Sequence, residues 1–226
     1  MKLKLLAFVS LCLVSLFAQA RMRALTEISV DLQLDVNTYV SGERVRGVID
    51  VKNLSPDKIS VGYPNSRDKL IVEVFRSNDN VQLERSGKPR QFVSEFTLNS
   101  NEGLKLEVYL GDHYNLEEVR NYRARAVLVH NNYRFEGGFR TFSVVPGIHI
   151  ATAKQVFAKH KGKSRRFNIL REARNGIEHL FLSAHDEWDN GKIESLGTTD
   201  IGAMLRITKP TISILDGGEV VVINRN

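Results

Sequence analysis

The residues best suited to chemistry form an acidic cluster in the last quarter of the sequence. His185 is followed by Asp186, Glu187 and Asp189 within five positions. Carboxylates and an imidazole so close together could bind a cation or carry out acid-base catalysis. Their spacing matches neither the Asp-x-Asp-x-Asp-Gly calcium loop nor the aspartate box of sialidase-like propellers. The cluster therefore indicates cation binding or acid-base catalysis, and its spacing does not decide between them.

Three interpretations of this cluster remain open. The simplest is a polar loop that joins strands over 180–183 and 192–196, with the Asn-Gly pair at 190–191 as its turn. The second is a weak cation site formed by Asp186 and Asp189. The third is a hydrolase that uses the clustered carboxylates as catalytic groups.

The strongest run of positive charge lies between residues 159 and 166. Five cations and no acid fall within these eight residues, namely Lys159, Lys161, Lys163, Arg165 and Arg166. If the chain is extended there, alternate side chains point the same way and offer a row of cations to phosphate or sulfate groups. The run therefore predicts a polyanion-binding site, and the alternative is a solvated loop between strands.

The candidate partners of this basic run are acidic polysaccharides, anionic lipid head groups and nucleic acid. Nucleic acid is the least favoured, because proteins bind single strands through stacked aromatic side chains. Phe157 and Phe167 flank the run but do not enter it. An acidic polysaccharide or an anionic surface is therefore the expected partner.

Other nucleophile and metal motifs are missing from the sequence. Its six histidines include no pair at the i, i+4 spacing of a helical zinc site, and no serine lies in Gly-x-Ser-x-Gly. The single cysteine is Cys12, which lies in the expected export signal. No cofactor is predicted, although two carboxylates distant in sequence could still form a glycosidase site.

The first twenty residues have the features of an export signal. Lys2 and Lys4 precede an apolar run over residues 5–17, and residues 18–20 read Ala-Gln-Ala, the small-x-small form of a cleavage site. The run is 13 residues long, whereas a membrane span needs about 20. We therefore expect a signal peptide over 1–20, cleavage after Ala20, and a secreted or periplasmic mature chain. That chain would have no cysteine and no transmembrane span.

The composition is that of a globular protein. Hydrophobic residues make up 42% and charged residues 26% of the 226 residues, which excludes a disordered or multi-spanning chain. The length allows one large domain or two small ones. The formal net charge of +6 falls to +4 once Lys2 and Lys4 are removed with the signal, so the mature chain is weakly basic.

Alternation of apolar and polar residues predicts strands through most of the mature chain. Ile28, Val30, Leu32 and Leu34 would face a core, while the residues between them would face solvent. The same pattern returns over residues 45–51, 70–74, 104–110 and 122–128. Turn-rich stretches separate these runs, so the pattern predicts an all-β fold of the sandwich type.

Two local features favour the immunoglobulin-like form of β-sandwich. Tyr122 lies two residues before Ala124, which is the spacing of a tyrosine corner whose hydroxyl bonds to the backbone just upstream. Asn131-Asn132 separates two strand-like runs and suits a two-residue hairpin turn, because asparagine tolerates positive φ. A single helical turn is expected over 115–119, with Asn115 as its N-cap.

The segment from Tyr39 to Asn53 resembles the opening of many bacterial extracytoplasmic immunoglobulin-like domains. It contains Gly42-Glu43, then an alternating strand over 45–51, then the asparagine. The resemblance covers about residues 25–145 and implies a β-sandwich used for spacing or binding. It carries no catalytic residue over to this sequence.

A domain boundary is predicted at Pro146-Gly147, because proline ends strand pairing and glycine permits a turn. An immunoglobulin-like β-sandwich would then occupy 21–145, and a small all-β meander module would occupy 146–226. Within that module, residues 168–182 are echoed by residues 213–223 at an offset of 45 from Ile169 to Ile214. The offset suits a propeller blade, so the module contains either two propeller-like meanders or two unrelated hairpins.

The expected function is non-enzymatic binding, outside the cytoplasm and through exposed loops, of a protein or glycan ligand that the sequence does not identify. One alternative is a secreted inhibitor that inserts a loop such as residues 99–102 into a hydrolase. Another is a polyanion-binding protein that uses the basic run. A hydrolase built on the acidic cluster is the least favoured alternative.

Overall fold

The computed structural model describes residues 28–63, 65–86, 92–157, 162–204, 209–215 and 218–224. The expected signal peptide over 1–20 and two cations of the basic run, Lys159 and Lys161, lie outside the described residues. Strands dominate the described residues, and their only helix is a short 3₁₀ turn over Leu110–Asp112, so the all-β class is confirmed. No helix among them is long and apolar enough to cross a membrane.

The described strands before Pro146 form three sheets. Their bounds are β1 (Ile28–Leu34), β2 (Thr38–Val40), β3 (Arg46–Asn53), β4 (Ile59–Val61), β5 (Lys69–Arg76), β6 (Phe96–Leu98), β7 (Glu102–Tyr109), β8 (Arg120–His130), β9 (Tyr133–Glu136) and β10 (Arg140–Val145). One sheet has the order β1-β3-β7, the second has the order β2-β10-β8-β5 with β9 paired to β8, and the third is β4-β6. The pair β2-β10 is parallel, and the other pairs are antiparallel.

One hydrophobic core lies between the first two sheets. Leu32 and Ile49 from the three-stranded sheet and Val74 and Leu128 from the five-stranded sheet are fully buried in a single cluster. Alternation along each strand sends these side chains inward, as the sequence pattern predicts. Two sheets that enclose one core form an arrangement compatible with a β-sandwich.

Asn53 ends β3 and is completely buried. Its side-chain amide donates to the carbonyls of Asp57, Leu98 and Asn99 at 2.8, 3.2 and 3.1 Å. Its side-chain oxygen accepts from the backbone N–H and the hydroxyl of Ser55 at 3.1 and 2.6 Å. These bonds tie the turn after β3 to the end of β6, and they satisfy a polar group that would otherwise destabilise the core.

The tyrosine-corner hydrogen bond and the hairpin turn expected from the sequence are both present. Tyr122 donates its hydroxyl to the carbonyl of Glu118 at 3.1 Å. Asn131 and Asn132 have φ values of 49° and 63° and join β8 to β9. A two-residue hairpin turn of type I′ requires positive φ at both of its central residues.

The helical turn expected over 115–119 is wrong, because those residues have irregular backbone. The side chain of Asn115 does accept a hydrogen bond from the N–H of Glu117 at 3.1 Å. That bond closes a local asparagine turn, which needs no helical bonds after it. β8 begins at Arg120, so the chain has no room to add further helical turns.

After Pro146 the chain forms a four-stranded antiparallel meander, termed the C-terminal sheet, and a separate hairpin. The bounds are β11 (Ile148–Val156), β12 (Lys163–Arg174), β13 (Ile177–Trp188), β14 (Ile193–Ala203), β15 (Thr211–Ile214) and β16 (Val220–Ile223). The sheet follows chain order, β11-β12-β13-β14, and β15 of the hairpin lies next to β11. The two echoed segments lie in the hairpins β12–β13 and β15–β16, and their relation to propeller blades stays a prediction.

The turn over 41–43 joins the N-terminal sheets to the C-terminal sheet. The backbone N–H and the hydroxyl of Thr198 in β14 donate to carbonyls of this turn at 2.9 and 2.7 Å. Arg174 binds both Glu43 and Asp200, and its Nη1 lies 2.9 Å from the Asp200 carboxylate. These directional contacts fix how β14 lies against the turn.

Replacing Asn53 by alanine should lower the free energy of unfolding by about 3 kcal/mol, because several buried backbone groups lose their partners. Urea denaturation followed by circular dichroism measures the change. The control is Gln33→Ala, at an exposed position of β1, which should change the free energy by less than about 0.5 kcal/mol. Equal effects of the two substitutions would contradict the role given to Asn53.

Candidate functional site

Antiparallel pairing of β12 with β13 brings the basic run and the acidic cluster together. Arg165 lies opposite Asp186, and Ser164 lies opposite Glu187. Because successive residues of a strand point to opposite faces, Asp186 and Glu187 face opposite sides of the sheet. The prediction that the cluster is a polar loop is wrong in extent, because β13 continues through Trp188. The pairing of β13 with β12 gives the carboxylates cationic partners.

Asp186 is buried against two cations on one face of the sheet. Its Oδ2 lies 2.7 Å from Lys163 Nζ, and its Oδ1 accepts a hydrogen bond from Arg165 Nε at 2.7 Å. The bond from Arg165, supported by that from Lys163, lowers the pKa of Asp186 from 3.8 to about 2, although burial opposes the change. The carboxylate is therefore ionised at physiological pH.

On the other face, Glu187 binds a second pair of cations. Arg166 Nη2 lies 2.8 Å from its Oε1, and Lys154 Nζ lies 3.5 Å from its Oε2. Lys154 belongs to β11 and lies directly opposite Arg166 of β12. Cations from two strands thus converge on one carboxylate.

The carboxylates lie beneath the cations that they bind. The exposed fraction of the side chain is 5% for Asp186 and 13% for Glu187, but 27% for Lys163, 33% for Arg165, 46% for Arg166 and 51% for Lys154. The turn after β13 adds the exposed Lys192. One end of the C-terminal sheet, the cationic end, thus carries Lys154, Lys163, Arg165, Arg166 and Lys192.

Two aromatic rings lie among the cations of this end. The centroid of the Trp188 ring is 4.9 Å from Lys163 Nζ and 4.6 Å from Lys192 Nζ. The Phe157 ring lies 5.4 Å from the Arg165 guanidinium. Cations at such distances are attracted by the π face of a ring. The basic run contains no aromatic residue of its own, so only the pairing of β12 with β13 places Trp188 beside it.

Asp186 and Asp189, the residues predicted to bind a cation, have different surroundings. Asp186 is bound by two side-chain cations, whereas Asp189 lies in the turn after β13 and donates its N–H to the carbonyl of Gly162 at 2.9 Å. In the described part of the chain, no group of three or more His, Cys, Asp or Glu side chains is placed to hold a metal ion. The cation site stays a prediction.

Two further places, both in the N-terminal sheets, could bind a ligand or partner. A cavity of about 250 Å³ opens beside β4 and β5, with Val61 and Leu70 among its lining residues. Residues 99–102, the loop considered for an inhibitor, form a tight turn in which the N–H of Asn99 donates to Glu102 at 2.7 Å. The cationic end unites most of the chemically suggestive residues, so it is the candidate site.

Comparisons with known proteins add no family to these observations. No protein-family model matches the chain, and no curated protein matches it either. The candidate site therefore depends on geometry and charge alone.

Stability should fall as the pH drops below about 4. The pKa of Asp186 is lower in the folded chain, so its ionised form stabilises the fold fully above pH 3.8, and this contribution is lost as the pH falls toward 2. Asp186→Asn should remove this part of the pH dependence in urea denaturation from about pH 2 to pH 7.

A companion variant separates the role of the cations from that of the carboxylate. Replacing both Lys163 and Arg165 by alanine should reduce stability already at neutral pH, because it leaves a buried charge without its partners. If Asp186→Asn left the pH dependence of the unfolding free energy unchanged, this would contradict the stabilising role given to the ionised Asp186 carboxylate.

Proposed function

We propose that this chain is an extracytoplasmic, non-enzymatic binding protein, in which an immunoglobulin-like β-sandwich over 21–145 precedes a small all-β module that binds an anionic ligand. The signal-like pattern of residues 1–20 in the sequence supports the location. The two-sheet core and the hydrogen bond from Tyr122 to Glu118 support the immunoglobulin-like form.

The layering of charge at the cationic end is the observation that carries the binding role. Asp186 and Glu187 are buried, so they hold the head groups of the cations above them in place while those cations remain open to solvent. A side chain that is already held loses less conformational entropy on binding than a free one does. An anionic ligand therefore meets a preformed group of cations.

The arginines of this end can bind a carboxylate and a ligand at the same time. A guanidinium has five N–H donors. Arg165 directs its Nε and Nη2 to Asp186, so its other donors can reach the oxygens of a phosphate, sulfate or carboxylate group. Such charge-assisted hydrogen bonds are stronger than neutral ones, and arginine forms them with planar geometry.

The surroundings of the cationic end carry an excess of positive charge. The described residues of the segments 154–166 and 186–194 include five Lys or Arg residues and four carboxylates. Two of those carboxylates, Asp186 and Glu187, are largely withdrawn from the surface. The potential outside this end is therefore positive, which raises the local concentration of a polyanion.

The ion pairing of Asp186 favours a binding role over hydrolysis. A general acid must retain its proton near neutral pH, which requires a raised pKa. The pKa of Asp186 is instead lowered to about 2 by Arg165 and Lys163. Asp186 and Glu187 also face opposite sides of the sheet, so they do not face a common substrate.

The mature chain should bind heparin, and less salt should elute it once the three lysines of the basic run are replaced. The test variant replaces Lys159, Lys161 and Lys163 by alanine. A salt gradient on a heparin column measures the effect. The slope of log affinity against log salt should fall by about 1 for each lysine that no longer pairs with a sulfate or carboxylate of the polyanion.

The matched control removes the same charge from the N-terminal region. It replaces Lys52, Lys58 and Lys105, all of them exposed, by alanine. Its elution should stay close to that of the unaltered chain. Salt-independent elution of the unaltered chain, or an equal reduction in both variants, would overturn the proposed function.

A further inference from the structure

β7 is an outer strand of the three-stranded sheet, and no other strand of the described residues pairs with its outer edge. The N–H of Leu110 donates to the carbonyl of Val45 at 2.8 Å, which continues the ladder between β7 and β3. Residues that bond to one neighbouring strand alternate along an antiparallel strand with residues that point the other way. The even-numbered residues of β7 therefore bond to β3. The outward backbone groups belong to Gly103, Lys105, Glu107 and Tyr109.

These outward backbone groups are open. Among the described residues, none of them takes part in a hydrogen bond. Gly103, whose surface is backbone alone, is exposed, and a Cβ added to it would contact only Lys52 and Val51 of β3. An open edge of this kind is a template on which another strand can pair.

The core side of β7 is also incompletely covered. Leu104 and Leu106 pack against the hydrophobic core but are only half-buried. Val51 and Ile49, which lie directly opposite them in β3, are completely buried. The difference arises because β3 has a neighbouring strand on each side, whereas β7 has one. A strand added at the outer edge would cover both leucines, and burial of apolar surface is favourable.

The solvent side of β7 carries two opposite charges at a spacing of two residues. Lys105 is exposed and forms no ion pair within the described part of the chain. Glu107 is 44% exposed, and its bonds to Arg46 and Tyr109 both use Oε1. Among the described residues, Oε2 is therefore left for a further cation. A lysine and a glutamate so placed can each pair with the other residue on an antiparallel copy of the same strand.

Antiparallel pairing of two β7 strands has one register that satisfies charge and hydrogen bonding together. When Leu106 of one copy lies opposite Leu106 of the other, each Lys105 lies opposite a Glu107. The outward groups of Gly103 then meet those of Tyr109, so the backbone ladder closes on both sides of the two-fold axis. The two nearest registers that keep the same faces together place lysine opposite lysine or glutamate opposite glutamate, which is unfavourable.

We infer that two copies of this chain associate through their β7 edges, which joins the three strands of each copy into one continuous antiparallel sheet. The matched charges of Lys105 and Glu107 identify a second copy as the partner, because a two-fold axis pairs the same strand with itself. The inference goes beyond the proposed function and does not depend on it. β7 belongs to the N-terminal sheets, whereas the cationic end belongs to the C-terminal sheet.

Charge reversal is the first test. Lys105→Glu alone places glutamate opposite glutamate, and Glu107→Lys alone places lysine opposite lysine. Sedimentation velocity of the mature chain, at protein concentrations from about 1 µM to about 1 mM, should show a dimer whose affinity falls about tenfold or more in either variant. An equal mixture of the two variants should restore the dimer, because both unlike pairs then form again.

The matched control is Lys52→Glu. It makes the same change of charge at an exposed residue of β3, on the same face of the sheet but one strand away from the edge. This variant should dimerise as the unaltered chain does. Circular dichroism verifies that each variant is folded.

A cysteine substitution tests the register directly. Cys12 lies in the expected signal, so Leu106→Cys would supply the single thiol of the mature chain. The Cα atoms of an opposite, non-hydrogen-bonded pair lie about 4.5 Å apart, which a disulfide can span. Oxidised Leu106→Cys should therefore run as a covalent dimer on a non-reducing gel. Leu104→Cys should not, because its opposite residue is Val108.

Several results would overturn the inference. One is an unaltered chain that stays monomeric at every concentration, which would leave the edge of β7 to a strand of another protein. Others are a dimer that tolerates both charge reversals, a mixture of the two variants that stays monomeric, and cross-linking of Leu104→Cys as readily as of Leu106→Cys. Elution of the unaltered chain from heparin tests the proposed function separately, so either can fail while the other stands.

Discussion

Burial of the Asp186 carboxylate is the constraint on which the arrangement of the C-terminal sheet depends. An isolated negative charge in that position would be strongly destabilising, so Lys163 and Arg165 of β12 must lie beside it. That requirement sets the register of β12 against β13, because a slip of one residue would turn Asp186 to the opposite face. The same register puts Glu187 beneath Arg166, so the distribution of charge on both faces follows from one strand pairing.

Prediction from the sequence succeeds where a feature depends on neighbours along the chain. Alternation is enough for the all-β class, because side-chain direction in a strand has a period of two whatever the partner strand is. The bond of Tyr122 and the turn at Asn131-Asn132 are equally local. The helical turn over 115–119 fails because an asparagine followed by acidic residues also fits a single side-chain turn, which continues into extended backbone.

The candidate site is less predictable because its members come from separate strands. The acidic cluster and the basic run are each recognisable alone, but no local pattern states that Asp186 lies opposite Arg165. β13 is partly covered on both faces, so its last residues mix polarity without alternation and resemble a loop. Trp188 lies beside Lys163 only because the pairing of β12 with β13 brings its ring to the cations, which no local pattern predicts.

The contact between Thr198 and Gly42 also protects an outer strand. β14 is at the edge of its sheet, and such strands carry unpaired backbone groups that can recruit strands from other molecules and start aggregation. The carbonyl of Gly42 occupies the N–H of Thr198, and Glu43 forms a parallel bridge to the same residue. This interrupts the eleven-residue edge near its middle and leaves only short free stretches on either side. A contact that orients two parts of one chain thereby discourages fibril-like growth between chains.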